Sequence, residues 1–193
     1  MNGLAAIPGH VETKDAYGET TVVVERERLV EAAEYARDTL GFNVLADLTP
    51  TDYLGWGGSG VAGYWGSPPP SEETRGWSPP VRDINAPGSW GLQKLPEPKP
   101  KRFSVSYHLL ALGDDPRRLR LQVWCEDEEP IPSVVSVWPT ADWFEREAWD
   151  MMGIPVDGHP NLVRLLMDED WEGHPLRKDY PLGGEPVRFS DEE

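Results

Sequence analysis

Residues 20–48, TTVVVERERLVEAAEYARDTLGFNVLADL, decide the architecture. Thr20 to Val24 is β-branched throughout and predicts a short strand. From Glu25 to Leu40 the period changes: Leu29, Ala32, Ala33, Ala36 and Leu40 share one face at the helical repeat, while Glu27, Glu31, Glu34 and Asp38 lie elsewhere. Gly41 stands where a left-handed cap is wanted. Phe42 to Leu48 predicts a second strand. Strand, amphipathic helix, strand predicts an α/β architecture of the α+β type, with the helix packed by one face on a mixed β-sheet.

Farther along the chain, Phe103, Val105, Tyr107, Leu109 and Ala111 alternate with Ser104, Ser106 and His108. Gly113-Asp114-Asp115-Pro116 predicts a turn, after which Leu119, Leu121, Val123 and Cys125 alternate with Arg118, Arg120, Gln122 and Trp124. This is a β-hairpin, and Cys125 reads as a small core residue. Ile131 to Trp138 predicts a further extended segment. Between the two halves, residues 55–100 hold nine Gly, nine Pro and four of the nine tryptophans, Trp56, Trp65, Trp77 and Trp90. No helix or central strand of ordinary length survives that density of breakers. A plain linker has no use for four indoles, so the segment is expected to be a long ordered insertion whose tryptophans dock on this chain or a neighbour.

The 193 residues correspond to about one domain. With 18 Lys and Arg against 34 Asp and Glu, the net charge is −16, which argues against a general nucleic-acid binder. No apolar run reaches the roughly 18 residues of a membrane span, and residues 1–17 carry no apolar block of the kind that marks a signal peptide, so a cytosolic location is the expectation. One cysteine excludes an internal disulfide and cysteine-ligated clusters.

Thr140 to Gly153 predicts a helix with Thr140 as N-cap and Gly153 past its end. Its apolar arc holds Phe144, Ala148, Trp149, Met151 and Met152, with Glu145 inside that arc. Trp143, Arg146, Glu147 and Asp150 form the other, where Arg146 and Asp150 can pair at four-residue spacing. An inward Glu145 needs a partner, and Arg164 and Arg177 are the nearest expected cations. Glu145 and Glu147 point about 160° apart on a helix, too far to converge as an acid–base pair, and no His-x-x-x-His or Glu-x-x-His spacing occurs. His159 and His174, each in a Gly-His-Pro triplet, are expected to order turns or donate to carbonyls rather than to catalyse or bind metal. The segment from Gly173 to Pro181 has few apolar residues, with Leu176 and Tyr180 among charges and Trp171 just before it. That pattern predicts an extended arm ordered on another protein's surface.

Taken together, Glu145-Arg146-Glu147-Ala148-Trp149-Asp150-Met151-Met152-Gly153-Ile154, then Gly158-His159-Pro160-Asn161-Leu162-Val163-Arg164-Leu165-Leu166, then Asp170-Trp171-Glu172-Gly173-His174-Pro175-Leu176-Arg177-Lys178-Asp179-Tyr180-Pro181 resembles the signature of the C, or thirty-kilodalton, subunit family of respiratory complex I. Asp47-Leu48-Thr49 with Asp52-Tyr53 resembles an upstream segment of the same family. The insertion at 55–100 departs from it, since the family's connection there is usually shorter. The resemblance implies a non-redox structural and assembly subunit of the NADH:quinone oxidoreductase peripheral arm. FMN, iron–sulfur clusters, NADH and quinone would belong to the parent complex, with no cofactor, metal or catalytic residue in this chain.

It further implies an N-terminal extension at 1–19, a single α/β domain at 20–157 and a C-terminal extension at 158–193 that docks on the D-type, forty-nine-kilodalton, subunit and other iron–sulfur subunits. The chain would then sit peripherally on the cytoplasmic side of the inner membrane. Interface candidates are Glu145, Arg146, Glu147, Asp150, Gly153, His159, Pro160, Arg164, Trp171, Gly173, His174, Pro175, Leu176, Arg177, Lys178, Asp179, Tyr180 and Pro181. The alternatives are the equivalent subunit of a hydrogenase-like or chloroplast-type complex, or a stand-alone soluble α/β binding domain or enzyme.

Overall fold

A computed structural model describes residues 3–56, 99–113 and 115–181. The chain divides into two units, Met1–Asp52 with Lys101–Glu193, and Tyr53–Pro100. In the first, β1 (His10–Ala16), β2 (Glu19–Val24), β3 (Val44–Asp52), β4 (Phe103–Ala111) and β5 (Arg117–Cys125) form one sheet in the order β1-β2-β5-β4-β3. β2 and β5 are parallel and the other neighbours antiparallel, so the sheet is mixed as expected. The β4/β5 hairpin fills the centre. The chain therefore leaves β2, passes through helix α1 (Leu29–Asp38), and returns as β3 at the far edge, beyond the hairpin.

α1 buries Leu29, Ala32, Ala33 and Ala36 completely. These residues share one buried cluster with Val22, Val105, Tyr107, Leu121 and Val123 of the sheet, which supply the bulk. The helix is shorter than its periodicity predicts, because Arg26–Arg28 form a 3-10 turn with no buried residue. Its end follows expectation. Gly41 takes φ 80° and the Phe42 amide donates to the Ala36 carbonyl at 2.9 Å, seating Phe42 in the core.

Within residues 1–19 the structure adds a strand that the sequence does not announce: β1 pairs with β2 through the Tyr17-Gly18 turn, both residues having positive φ, and two expectations further along are corrected. β1 is exposed along nearly its whole length, so no hydrophobic alternation announces it. The extended reading of Ile131 to Trp138 holds only for β6 (Ile131–Pro132), which pairs with β7 (Val156–Asp157). Beyond it the Val137 and Trp138 amides both donate to the Val134 carbonyl at 2.9 Å, turning the chain so that Trp138 enters the core. Finally, Thr140 stands at the N-cap position of α2 (Ala141–Met152) as expected, but its hydroxyl donates to the Leu45 carbonyl of β3 and makes no cap bond.

In the second unit the Tyr53 and Trp56 rings pack edge to face, centroids 5.9 Å apart, and the Lys99 ammonium lies 5.6 Å from each. The expectation that the insertion is ordered through Trp65, Trp77 and Trp90 concerns residues outside those described.

Candidate functional site

The signature residues converge on α2 and the chain that wraps back over it. Asp150 is the hub. Its Oδ2 accepts the amides of Leu165, Leu166 and Met167 at 2.9, 2.7 and 3.0 Å, and its Oδ1 accepts Nη1 of Arg164 at 2.7 Å. The carboxylate is wholly buried. Burial alone would push its pKa up, but the three amides and Arg164 outweigh that and hold it at about 2. Arg164 in turn donates through Nη2 to the carbonyls of Trp171 and Gly173 at 2.7 and 3.2 Å, with its guanidinium 5.8 Å from the Trp149 ring.

Helical spacing places Asp150 on the outer arc, paired with Arg146. In the structure the returning chain covers Asp150 and part of Arg146 but leaves Trp143 and Glu147 exposed, and Arg146 donates to the carbonyls of Val163 and Arg164 at 3.1 Å while stacking over Trp143. Glu145 is buried as expected, yet without a guanidinium, since Arg164 is engaged by Asp150 and Arg177 by Asp127 and Asp179. Its Oε1 accepts the Val134 amide and its Oε2 the Ser133 hydroxyl, both at 2.7 Å, so the carboxylate caps the 134–138 turn. Burial pushes the Glu145 carboxyl up, against the lowering effect of those two donors and of His159. The imidazole of His159 is enclosed. Its Nδ1 accepts the Asn161 amide at 3.0 Å, which leaves the Nε2 proton directed to the Asp142 carbonyl at 3.2 Å, with Glu145 Oε2 3.9 Å away. His174 donates from Nδ1 to the Asp150 carbonyl at 2.9 Å. Both histidines thus order backbone, as their Gly-His-Pro settings suggest.

Gly153 closes α2 with φ 69°, its amide donating to Trp149, and a β-carbon there would stand 2.7 Å from Nε2 of His174. Gly173, at φ 86°, lies under the Tyr180 ring, where a β-carbon would come within 2.9 Å. These two glycines admit the close approach of arm to helix.

A second tie fastens the end of the arm to the sheet edge. Asp52, at the end of β3, receives Nε and Nη2 of Arg102 at 3.2 and 3.1 Å and the Lys178 amide at 2.9 Å. Arg102 also reaches Asp127 at 3.0 Å and Asp179 at 2.9 Å, while Arg177 bonds Asp127 and Asp179 and lies, like Arg102, over the Phe103 ring. Burial of Arg102 is overridden by Asp52 and Asp179, which hold its pKa above the ordinary value, and Arg177 and Arg102 draw the carboxyls of Asp127 and Asp179 down. Sequence reasoning missed Arg102 and Asp127 altogether. They lie 77 and 52 positions before Asp179, and nothing local to either marks a partner that distant.

Of the remaining candidates, Glu147, Pro160, Lys178 and Pro181 are exposed, and Trp171, Pro175 and Tyr180 are half-buried. Leu176 is 54% exposed although its amide donates to the Met151 carbonyl at 2.9 Å. Leu166 at 61%, Trp143 at 59% and Val163 at 46% complete a set of large apolar side chains left in water around α2 and the arm. Among the described residues no group of three or more His, Cys, Asp or Glu side chains is placed to hold a metal ion, and no helix is long and apolar enough to cross a membrane.

The class that emerges is an α+β domain strapped by its own C-terminal arm, which turns Arg164 and Arg177 inward and leaves Leu166 and Leu176 exposed. The chain belongs to the family described as respiratory-chain NADH dehydrogenase, 30 Kd subunit, whose profile matches residues 22–186. It is 36% identical to the corresponding NADH-quinone oxidoreductase subunit of Caulobacter vibrioides, over 98% of this chain and 75% of that one. Among solved structures it is similar to Nqo5, crystallised as a "trypsin-resistant fragment (1-134)", at 29% identity and TM-score 0.54, covering 78% of this chain and 89% of that one. A chain from the archaeal membrane-bound sulfane sulfur reductase shares the fold at TM-score 0.62 and 14% identity, over 98% of this chain and 92% of that chain. The family is that of a peripheral-arm subunit of complex I, the membrane-associated NADH:quinone oxidoreductase; the relatives fit that reading and not the hydrogenase-like or stand-alone alternatives.

Proposed function

We propose that this chain contributes no redox chemistry of its own and acts by docking: it holds neighbouring peripheral-arm subunits in register, with the D-type subunit as its main neighbour, on the cytoplasmic face of the membrane. The observation that carries this is the pair of leucines that the arm leaves exposed while the signature charges around them are satisfied. Arg146, Asp150, Arg164, His174, Arg177 and Asp179 are bound within the chain, whereas Leu166 and Leu176 stand more than half exposed. Large apolar side chains gathered in one exposed region are characteristic of interfaces, and covering each is worth roughly 1.5–3 kcal/mol. The electron carriers then lie on the neighbours, and this chain sets the distances between them.

Replacing both Leu166 and Leu176 by Ala should leave thermal unfolding nearly unchanged and sharply reduce co-purification with the iron–sulfur subunits. Retention of full co-purification by the double variant would refute the docking surface. A flavin or iron signal from the isolated chain would refute the non-redox role.

A further inference from the structure

The two ends of residues 165–176 meet on one turn of α2. The Leu165 amide donates to the Asp150 carboxylate and the Leu176 amide to the carbonyl of the next residue, Met151. Between them, Arg164 grips the carbonyls of Trp171 and Gly173 from beneath, and the Trp171 amide closes a turn onto the Asp168 carbonyl at 3.0 Å. A compact surface segment of this length with adjoining ends is an Ω-loop. Here its shape is set by bonds within the chain, so presenting it to a partner carries little further ordering cost.

The crown of that loop is one-signed. Asp168, Glu169, Asp170 and Glu172 are all exposed, and residues 165–176 contain no Lys or Arg. Arg164, the cation at its base, is committed to Asp150 and to backbone. Among the described residues none of the four carboxylates enters an ion pair, and they stand on a chain of net charge −16. Leu166 and Leu176 flank them in sequence, one on either side. A second copy of this chain would meet the crown with like charge, which costs rather than favours association.

We infer that residues 165–176 form a preformed docking module for a basic partner surface: an apolar recess taking Leu166 and Leu176, flanked by Lys or Arg side chains facing Asp168, Glu169, Asp170 and Glu172. This rests on the docking reading above and adds the sign of charge the partner presents. The leucines supply the desolvated centre and the acids a rim that steers approach.

The test uses the full chain and, as probe, the iron–sulfur subunits of the peripheral arm from which this chain has been dissociated. Binding is measured at low and moderate salt for the wild type and for Asp168→Asn, Glu169→Gln, Asp170→Asn and Glu172→Gln combined. Wild-type affinity is expected to fall at least roughly tenfold as salt screens the rim. The neutralised chain should bind about tenfold more weakly at low salt, mainly through slower association, and lose most of the salt dependence. Its thermal unfolding should be unchanged, since these side chains enter no ion pair among the described residues. Equal affinity and equal salt dependence for the two chains, with the Leu166 and Leu176 double variant still defective, would overturn the acidic-rim inference and leave the docking reading intact. Silence of both variants would overturn both. Wild-type self-association abolished by the four neutralisations would overturn the inference in favour of a second copy.

Discussion

Asp150 and Glu145 sit five residues apart on one helix, both wholly buried, and titrate in opposite directions. The difference lies in their donors. Asp150 collects three backbone amides and a guanidinium, enough to favour the ionised form. Glu145 has one amide, one hydroxyl and the His159 ring 3.9 Å away, and burial dominates. Because the folded pKa of Asp150 lies below the ordinary ~3.9, its contribution is present above about pH 4 and is lost as pH falls toward 2; a shift of this size corresponds to about 2.5 kcal/mol. Glu145 has the opposite sign: its contribution is greatest below the ordinary carboxyl pKa and declines as pH rises through its elevated value. Asp150→Asn should cost about 3 kcal/mol, because Arg164 is left half-buried without its counter-charge. It should also shrink the acid-side loss by the share due to Asp150, leaving that of Asp127 and Asp179, as read by urea unfolding between pH 2 and 6. An unaltered acid limb would show that Asp150 is not the group responsible.

At the scale of elements, the junction of α2 with the arm depends on close approach. Gly153 meets two requirements at once, a left-handed backbone and room for the His174 ring. Gly153→Ala is therefore expected to destabilise by more than the ~1 kcal/mol of an ordinary left-handed cap. It should also free the His174 bond to Asp150, detectable as trypsin cleavage after Arg164 and Arg177 at enzyme levels that leave the wild type intact. A variant as resistant as the wild type would mean the arm is held elsewhere. Much at this scale is legible in the sequence: α1 with its Gly41 stop, the β4/β5 hairpin, α2 with Glu145 inward and Gly153 at its end all follow local periodicity. β1 is not, because an exposed edge strand rich in charge has no apolar alternation, and neither is the 134–138 turn, which owes its shape to a carboxylate eleven residues on.

For the whole molecule, the arm changes meaning. Sequence composition predicts a segment that orders on a neighbour, and removal before Gly173 would then leave the domain untouched. In the structure that cut removes the Lys178 amide from Asp52, Asp179 from Arg102, Arg177 from Asp127, and the His174 bond to the Asp150 carbonyl on α2. Truncation before Gly173 is expected to lower the thermal midpoint by several degrees as well as to weaken assembly with the other peripheral-arm subunits. Loss of assembly with an unshifted midpoint would restore the simpler picture of an arm that depends wholly on its neighbour. The acidic excess likewise acquires a location, since at the arm the basic residues Arg164 and Arg177 are consumed inside while four carboxylates remain on the loop crown.

The order of residue types along the chain is enough to specify the layer architecture, the two helices, the central hairpin and the family, because each is written in local periodicity or in a contiguous run. The work of the signature charges is set by packing instead. Whether Asp150 faces water or is enclosed by three amides, and whether Arg177 meets a partner or Asp127, depends on a chain that returns from 14 to 50 positions away. Periodicity carries no information at that range, and the folded contacts alone determine which side chains are left to meet another protein.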